Sequence, residues 1–295
     1  MVYNMSSYGK ANHSLIEYNN MIKRKIPSTG EELPVLGLGT WKTFDVKGKS
    51  SIEPLNHVLQ IMKEAGGKLI DSSPMYGNSE KVIGELTADP KWCNYFFYAT
   101  KVWTTGKQEG IHQIESSFQK MKRSTMDLIQ IHNLTDWKTH LQTLRAWKSE
   151  GKIRYIGITH YTDSAHEELE RILKSEEGID FVQFNYSIFS RNAEKRLLKA
   201  AADRGVATLI NRPLGKGNAF SNVQNKQLPP WANEYSIKTW SQFFLLYIIS
   251  HPAVTAVIPA TANPAHASEN FNIIATELPD QVFREKMAIF IENKD

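Results

Sequence analysis

Four residues are of types that, brought together, suit proton-coupled chemistry on a carbonyl: Asp71, Tyr76, Lys101 and His132. Tyr76 follows Asp71 by five positions, Lys101 follows Tyr76 by 25, and His132 follows Lys101 by 31. A phenol titrates near ~10 and donates weakly at neutral pH. A neighbouring ammonium favours the phenolate, each tenfold gain in acidity being worth about 1.4 kcal/mol, so Lys101 is expected to lower the pKa of Tyr76. Asp71 would hold Lys101 in place and charged. His132 would give a second hydrogen bond to an oxygen beside Tyr76. Such a site polarises a carbonyl and delivers a proton to its oxygen, a contribution of about 10²–10⁴ in rate. Reduction also needs a hydride, which no side chain supplies and a nicotinamide does.

Taken singly, each residue has a plainer role as turn former, solvated charge, structural histidine or packing aromatic. Their convergence depends on the elements that carry them. Eight short apolar runs begin at Val35, Lys68, Tyr95, Leu128, Tyr155, Phe181, Val206 and Ala256. Between several of them lie segments with one apolar face. Leu55, Val58, Leu59 and Met62 fall at i, i+3, i+4 and i+7, with Gly66 placed to stop the helix. Ile111, Ile114, Phe118 and Met121 keep one face as well, and Asp136 is expected to cap a helix carrying Leu141, Leu144 and Trp147. This alternation predicts an α/β fold, a (β/α)8 TIM barrel. A doubly wound sheet would want a Gly-x-Gly-x-x-Gly turn, and none follows any run. The segment "RKIPSTGEELPVLG" reads as an N-terminal β-hairpin closing the bottom of the barrel, with Ser28-Thr29-Gly30 as its turn.

Chemistry in such barrels sits where the strands end. The residues there are Gly39-Thr40-Trp41, Asp71, Lys101, His132, Thr159-His160, Gln183, Asn211-Arg212 and Pro259. An acid, an ammonium, an imidazole and an amide would face one mouth.

The 295 residues carry a net charge of +4 and no dense basic run, which argues against nucleic-acid or membrane partners. The one cysteine, Cys93, cannot form an internal disulfide, consistent with a reducing, cytoplasmic setting. Residues 1–20 are polar and aperiodic and are expected to be a flexible tail, leaving residues 21–295 as a single barrel domain.

The motifs "GLGTW", "IDSSPMYGNSE", "ATKVW", "LIQIHN", "YIGITHY", "VQFNYS" and "VIPATANPAHASENF" occur in the order found in the aldo-keto reductase superfamily, which this sequence resembles from about Ile22 to Asn270. The resemblance implies that Asp71, Tyr76, Lys101 and His132 form a catalytic tetrad. It further implies a monomer reducing small carbonyl compounds with NADPH, with NADH also possible and no metal. Thr159, His160 and Gln183 match positions that bind the nicotinamide carboxamide, although the family pattern has Ser-Asn where this chain has Thr159-His160. Gly39, Thr40 and Trp41 match the first loop. "NRPLG" stands where many members have Tyr-Ser-Pro-Leu-Gly, so Asn211 cannot stack on the nicotinamide ring. Arg212, Pro213, Leu214 and Lys216 of this loop, together with Ala260, Thr261, Asn263, His266, Glu269 and Asn270, match the remaining cofactor positions. Many relatives have Lys and Arg where this chain has Ala260 and His266, so only a modest preference for NADPH is expected. Trp41, Met75, Trp103 and Asn133 are expected to line the substrate pocket. Two other functions compete: a nicotinamide-binding partner subunit with little turnover, and a metal-dependent barrel hydrolase. The hydrolase would want a His-x-His pair at a strand end, which His132-Asn133-Leu134 does not offer.

Overall fold

A computed structural model of the chain describes residues 21–273 and 278–293. The expected tail, residues 1–20, lies outside them.

Two strands, β1 (Lys23–Lys25) and β2 (Glu32–Pro34), pair antiparallel, with Arg24 opposite Leu33. Eight more follow: β3 (Leu38–Gly39), β4 (Leu69–Asp71), β5 (Phe97–Val102), β6 (Met126–His132), β7 (Ile153–Thr159), β8 (Phe181–Asn185), β9 (Ala207–Asn211) and β10 (Ala256–Val257). Each is hydrogen-bonded to the next, and all these pairs are parallel. The sheet closes on itself through parallel bridges from Leu36 to Val257 and from Gly39 to Ala260. At the closure the Gly37 and Gly39 N–H groups donate to Val257 and Pro259 carbonyls at 2.9 and 3.0 Å. The eight expected runs are therefore the eight staves of a (β/α)8 barrel.

A strand turns alternate side chains to opposite faces. Leu69, Phe97, Ala99, Leu128, Tyr155, Phe181, Ala207, Leu209, Ala256 and Ile258 form one buried cluster inside the barrel. Their alternates, among them Ile70, Tyr98, Ile129, Ile156, Val182 and Ile210, join the layer between sheet and helices. Ile26 and Leu33 belong to the inner cluster. The hairpin thus plugs the lower end, tied there by the Tyr155 hydroxyl, which lies 2.8 Å from Thr29 Oγ1 and donates to Glu31 Oε2 at 2.6 Å.

The outer layer forms as the apolar periodicity requires. Helix Lys49–Glu64 buries Leu55, Val58, Leu59 and Met62, each such burial contributing about 1.5–3 kcal/mol. Helix Lys107–Met121 buries Ile114 and Met121, and helix Trp137–Ser149 buries Leu141, Leu144 and Trp147. One local expectation is corrected. Asp136 precedes its helix, but its carboxylate makes no cap and accepts instead from the Gly106 N–H at 2.8 Å. A further helix, Gln281–Glu292, buries Phe283, Met287 and Ala288, and its Arg284 donates to Tyr186 Oη at 2.6 Å and to Glu194 Oε1 at 2.8 Å. No helix among the described residues is long and apolar enough to cross a membrane.

Candidate active site

The alternation that builds the apolar lumen also builds the site. Two positions beyond Leu69, Ala99 and Phe181 come Asp71, Lys101 and Gln183, and two and four beyond Leu128 come Gln130 and His132. The same face of the sheet therefore changes from apolar to polar at its upper end. Lys101 is fully buried and donates to Asp71 Oδ2 at 2.6 Å and to the Ser72 carbonyl at 2.7 Å. The other oxygen of Asp71 accepts from Gln130 Nε2 at 2.8 Å and from Gln183 Nε2 at 3.0 Å. Gln183 also donates to Gln130 Oε1 at 2.9 Å. Every polar group of this buried cluster is partnered, which is what makes a buried ion pair tolerable. Space for Gln130 comes from Gly157, where a Cβ would approach the Gln130 Cγ to 2.8 Å.

Burial pulls the pKa of Lys101 down, but Asp71 and then Tyr76 outweigh it and hold the ammonium above its ordinary range. Its Nζ lies 5.2 Å from the centre of the Tyr76 ring. For Tyr76 the expected lowering is corrected. Burial raises the phenol above its usual value, and the opposing pull of Lys101 is smaller. The phenol consequently holds its proton at neutral pH. The turn that presents it needs Gly77, whose φ is +59° and whose missing Cβ would collide with the Asp45 carboxylate at 2.3 Å. That carboxylate in turn accepts from the Asn78 backbone and side-chain N–H groups, each at 2.8 Å.

His132 packs edge-on to Tyr76 with ring centres 6.0 Å apart. Burial first, then Lys101, pushes its pKa down to about 3, so the imidazole is neutral near pH 7. Ser73 Oγ, which accepts from the Met75 N–H at 3.4 Å, lies 3.1 Å from His132 Nδ1. A hydroxyl donating there leaves the ring proton on Nε2, as a donor for a bound oxygen.

The remaining expected residues divide between the mouth and its frame. Thr159 is buried and in register with both His132 and Gln183. Thr40 is buried beneath the first loop, its hydroxyl donating to the Asp71 carbonyl at 3.0 Å. Trp41 carries the Lys42 and Lys216 ammonium groups 4.7 and 5.0 Å from a ring centre. Trp103 lies 6.3 Å from the His132 ring, and Met75 beside Tyr76 is exposed. Asn133 follows His132 in the left-handed region, and its Oδ1 is buried with no partner among the described residues. Asn211 Oδ1 is in the same condition, while its Nδ2 donates to the His160 carbonyl at 3.1 Å. His160 Nδ1 is engaged by Thr162. Arg212 stacks on Tyr161, 4.0 Å from the ring centre, with Pro213 buried behind it and Leu214 half-buried.

At the last strand, Ala260 and the helix Pro264–Phe271 flank the mouth, with His266 and Glu269 exposed. Asn263 caps that helix, accepting from Ala265 N at 2.9 Å, and Thr261 Oγ1 accepts from Asn263 N at 3.0 Å. Asn270 points inward, its Oδ1 accepting from Ser241. Sequence reasoning missed Gln130, Ser73 and Tyr161. Gln130 had a signal, a polar residue in step with Leu128 and His132.

At the mouth of the closed parallel barrel stand a protonated phenol, a buried ammonium and a neutral imidazole, groups suited to an oxidoreductase that acts on carbonyls. Comparison with known proteins agrees. Residues 35–289 match the profile of the aldo/keto reductase family. A methylglyoxal reductase of Yersinia pestis is 27% identical over 257 residues, covering 84% of this chain and 86% of its own. A glyoxal reductase of Bacillus subtilis is 25% identical over 259 residues, with 85% and 87% covered. Among solved structures, an aldo-keto reductase of Klebsiella pneumoniae in complex with NADPH superposes with a TM-score of 0.77 at 21% identity, covering 92% of this chain and 96% of its own. The chain belongs to the aldo/keto reductase family.

Proposed function

We propose that the protein reduces small aldehydes and ketones to alcohols with NADPH, Tyr76 being the proton donor. The observation that carries this reading is the partnered Asp71–Lys101 pair set beneath a protonated Tyr76 and beside a neutral His132. A substrate oxygen accepting from Tyr76 Oη and His132 Nε2 has its carbonyl carbon made electrophilic. A bound nicotinamide supplies the hydride to that carbon. Tyr76 gives its proton to the oxygen, the C=O π bond becomes the new O–H bond, and the ammonium of Lys101 stabilises the phenolate left behind. A proton from solvent then restores the phenol.

The residues of the mouth fit such a cofactor. Lys42 and Lys216 share Trp41, and Lys216 is pushed down by Arg212 first and then by burial and Lys42. These cations form no ion pair among the described residues. A diphosphate would supply the missing charge. The orphaned Asn211 Oδ1 suits a carboxamide N–H, and Thr159 and Gln183 stand beside it on neighbouring strand ends. Absorbance of NADPH followed with short aldehydes, dicarbonyls and ketones tests the proposal. Consumption with at least one class is expected. Tight NADPH binding with no turnover of any would contradict it and favour a partner-subunit role.

A further inference from the structure

The loop between β5 and the helix Lys107–Met121 runs only from Trp103 to Gly106, and side chains from outside it hold its backbone. Gln113, within that helix, turns its amide back onto Trp103. Its Oε1 accepts from the Trp103 N–H at 2.5 Å, and its Nε2 donates to the Trp103 carbonyl at 3.1 Å. His140, whose ring is buried, donates from Nε2 to the Thr104 carbonyl at 2.7 Å. Asp136 takes the Gly106 N–H at 2.8 Å. Connecting a strand to a helix requires none of these bonds, and surface loops are ordinarily the mobile part of a fold. This one is fixed, most tightly at Trp103.

The residue so fixed is an exposed aromatic. Trp103 is 42% exposed, while His132 beside it is buried, with ring centres 6.3 Å apart and planes tilted by 59°. Indole surface left in water is costly, and a ligand that covers it removes the cost. Other aromatic rings of the mouth carry charge: Lys42 and Lys216 lie over Trp41, and Arg212 lies over Tyr161. No cation lies over Trp103 among the described residues. Its free surface suits an uncharged ring. Offset or edge-on packing of two rings adds to simple burial, and a wall already held in place loses little freedom when it is covered.

Building on the reductase reading, we infer that Gln113 is a positioning residue that holds Trp103 as a stacking wall beside His132, so that the preferred substrates are aldehydes or ketones with an aromatic ring close to the carbonyl. Gln113 touches neither substrate nor cofactor. It acts through the Trp103 backbone, which both ends of its amide grip. A carbonyl oxygen on His132 then has Trp103 as the aromatic neighbour of its substituent.

The test compares phenylacetaldehyde with cyclohexylacetaldehyde in the full-length protein, in Trp103→Leu and in Gln113→Met. A methylene separates ring from carbonyl in both aldehydes, so their intrinsic reactivities are alike. Methionine keeps the length of glutamine and loses both hydrogen bonds to the loop. Both aldehydes react from the same NADPH complex, so the ratio of their kcat/KM values cancels effects on the cofactor, and damage to the fold lowers both alike. The ratio is expected to favour the phenyl compound about fivefold in the parent protein, to vanish in Trp103→Leu and to drop to about twofold in Gln113→Met. The change should lie in KM rather than kcat, as the loss of uniform binding requires. A ratio near one in the parent protein, or one that survives Trp103→Leu, overturns the wall. A ratio lost in Trp103→Leu but intact in Gln113→Met overturns the role of Gln113. If the parent protein reduces neither aldehyde, the reductase reading fails separately. Calorimetric binding of phenethyl alcohol and its cyclohexyl analogue, with NADPH present, still decides for the wall. A preference for the aromatic alcohol that is lost in Trp103→Leu and weakened in Gln113→Met supports it, and equal binding of the two refutes it.

Discussion

The two sides of the barrel mouth are built on opposite principles. Around Asp71, Lys101, Gln130 and Gln183 the side chains are buried, and each charge or amide is matched within the protein. Around Asn211, Arg212 and Lys216 the backbone runs through the left-handed region at two non-glycine positions, and neither of these two cations pairs with an acid among the described residues. A partnered, buried cluster costs no reorganisation when charge develops on a substrate oxygen. An under-satisfied rim leaves its hydrogen bonds and charges for ligands. On the reading proposed above, chemistry belongs to the first side and recognition to the second.

The comparison is broken most severely by removing the cation at its centre. Lys101→Met leaves the Asp71 carboxylate buried and unpaired, at a cost of about 3–5 kcal/mol in folding stability. Reduction is expected to fall at least about 10²-fold, since the phenolate loses its stabilising charge. Urea denaturation and single-turnover kinetics read the two losses. A variant with parental stability would show that the buried pair is not the support described here.

A smaller effect is expected one residue further out. Gln130→Leu removes one of the three side-chain hydrogen bonds to Asp71 and leaves the barrel volume nearly unchanged. Hydrogen bonds to charged groups contribute about 1.5–3 kcal/mol, and kcat is expected to fall about tenfold while KM stays close to the parent value. Loss of substrate affinity with kcat intact would place Gln130 on the recognition side.

How much of this could be read in advance differs between the same two sides. The eight strands, the plugging hairpin and the proposed positions Asp71, Lys101 and His132 follow from period-2 apolar runs and from residue type at their ends, with Tyr76 in the loop after β4. Gln130 was legible only through its step with Leu128 and His132, because a lone amide inside an apolar strand has no local partner to announce it. The raised pKa of Tyr76 could not be read. The sequence displays Lys101 but not the depth of burial that outweighs it. Asp136 shows the same limit: its type says cap, yet Gly106, thirty residues earlier, takes its carboxylate. At the rim, Arg212 matched a loop position, while its stack on Tyr161 depends on the loops after β7 and β9 meeting over β8.

The rim is sharpened by restoring charge to it. Ala260 follows the last strand and His266 lies in the first turn of the helix Pro264–Phe271, both exposed. Ala260→Lys with His266→Arg adds an ammonium and a bidentate donor suited to a phosphate. The ratio of kcat/KM for NADPH over NADH is expected to rise about tenfold, with turnover under saturating NADPH changed less than about twofold. No change in the ratio would show that this end of the mouth does not meet the phosphate that separates the two cofactors.

The central claim is that the buried side of the mouth exists to hold Tyr76 as the proton donor. Its most direct test is single-turnover oxidation of bound NADPH by an aldehyde in Tyr76→Phe, with the NADPH dissociation constant measured alongside. Phenylalanine keeps the ring against His132 and removes only the hydroxyl. The account predicts a rate at least about 10²-fold lower, at the modest end for general-acid catalysis, with NADPH bound as tightly as before. An unimpaired rate in Tyr76→Phe would contradict it.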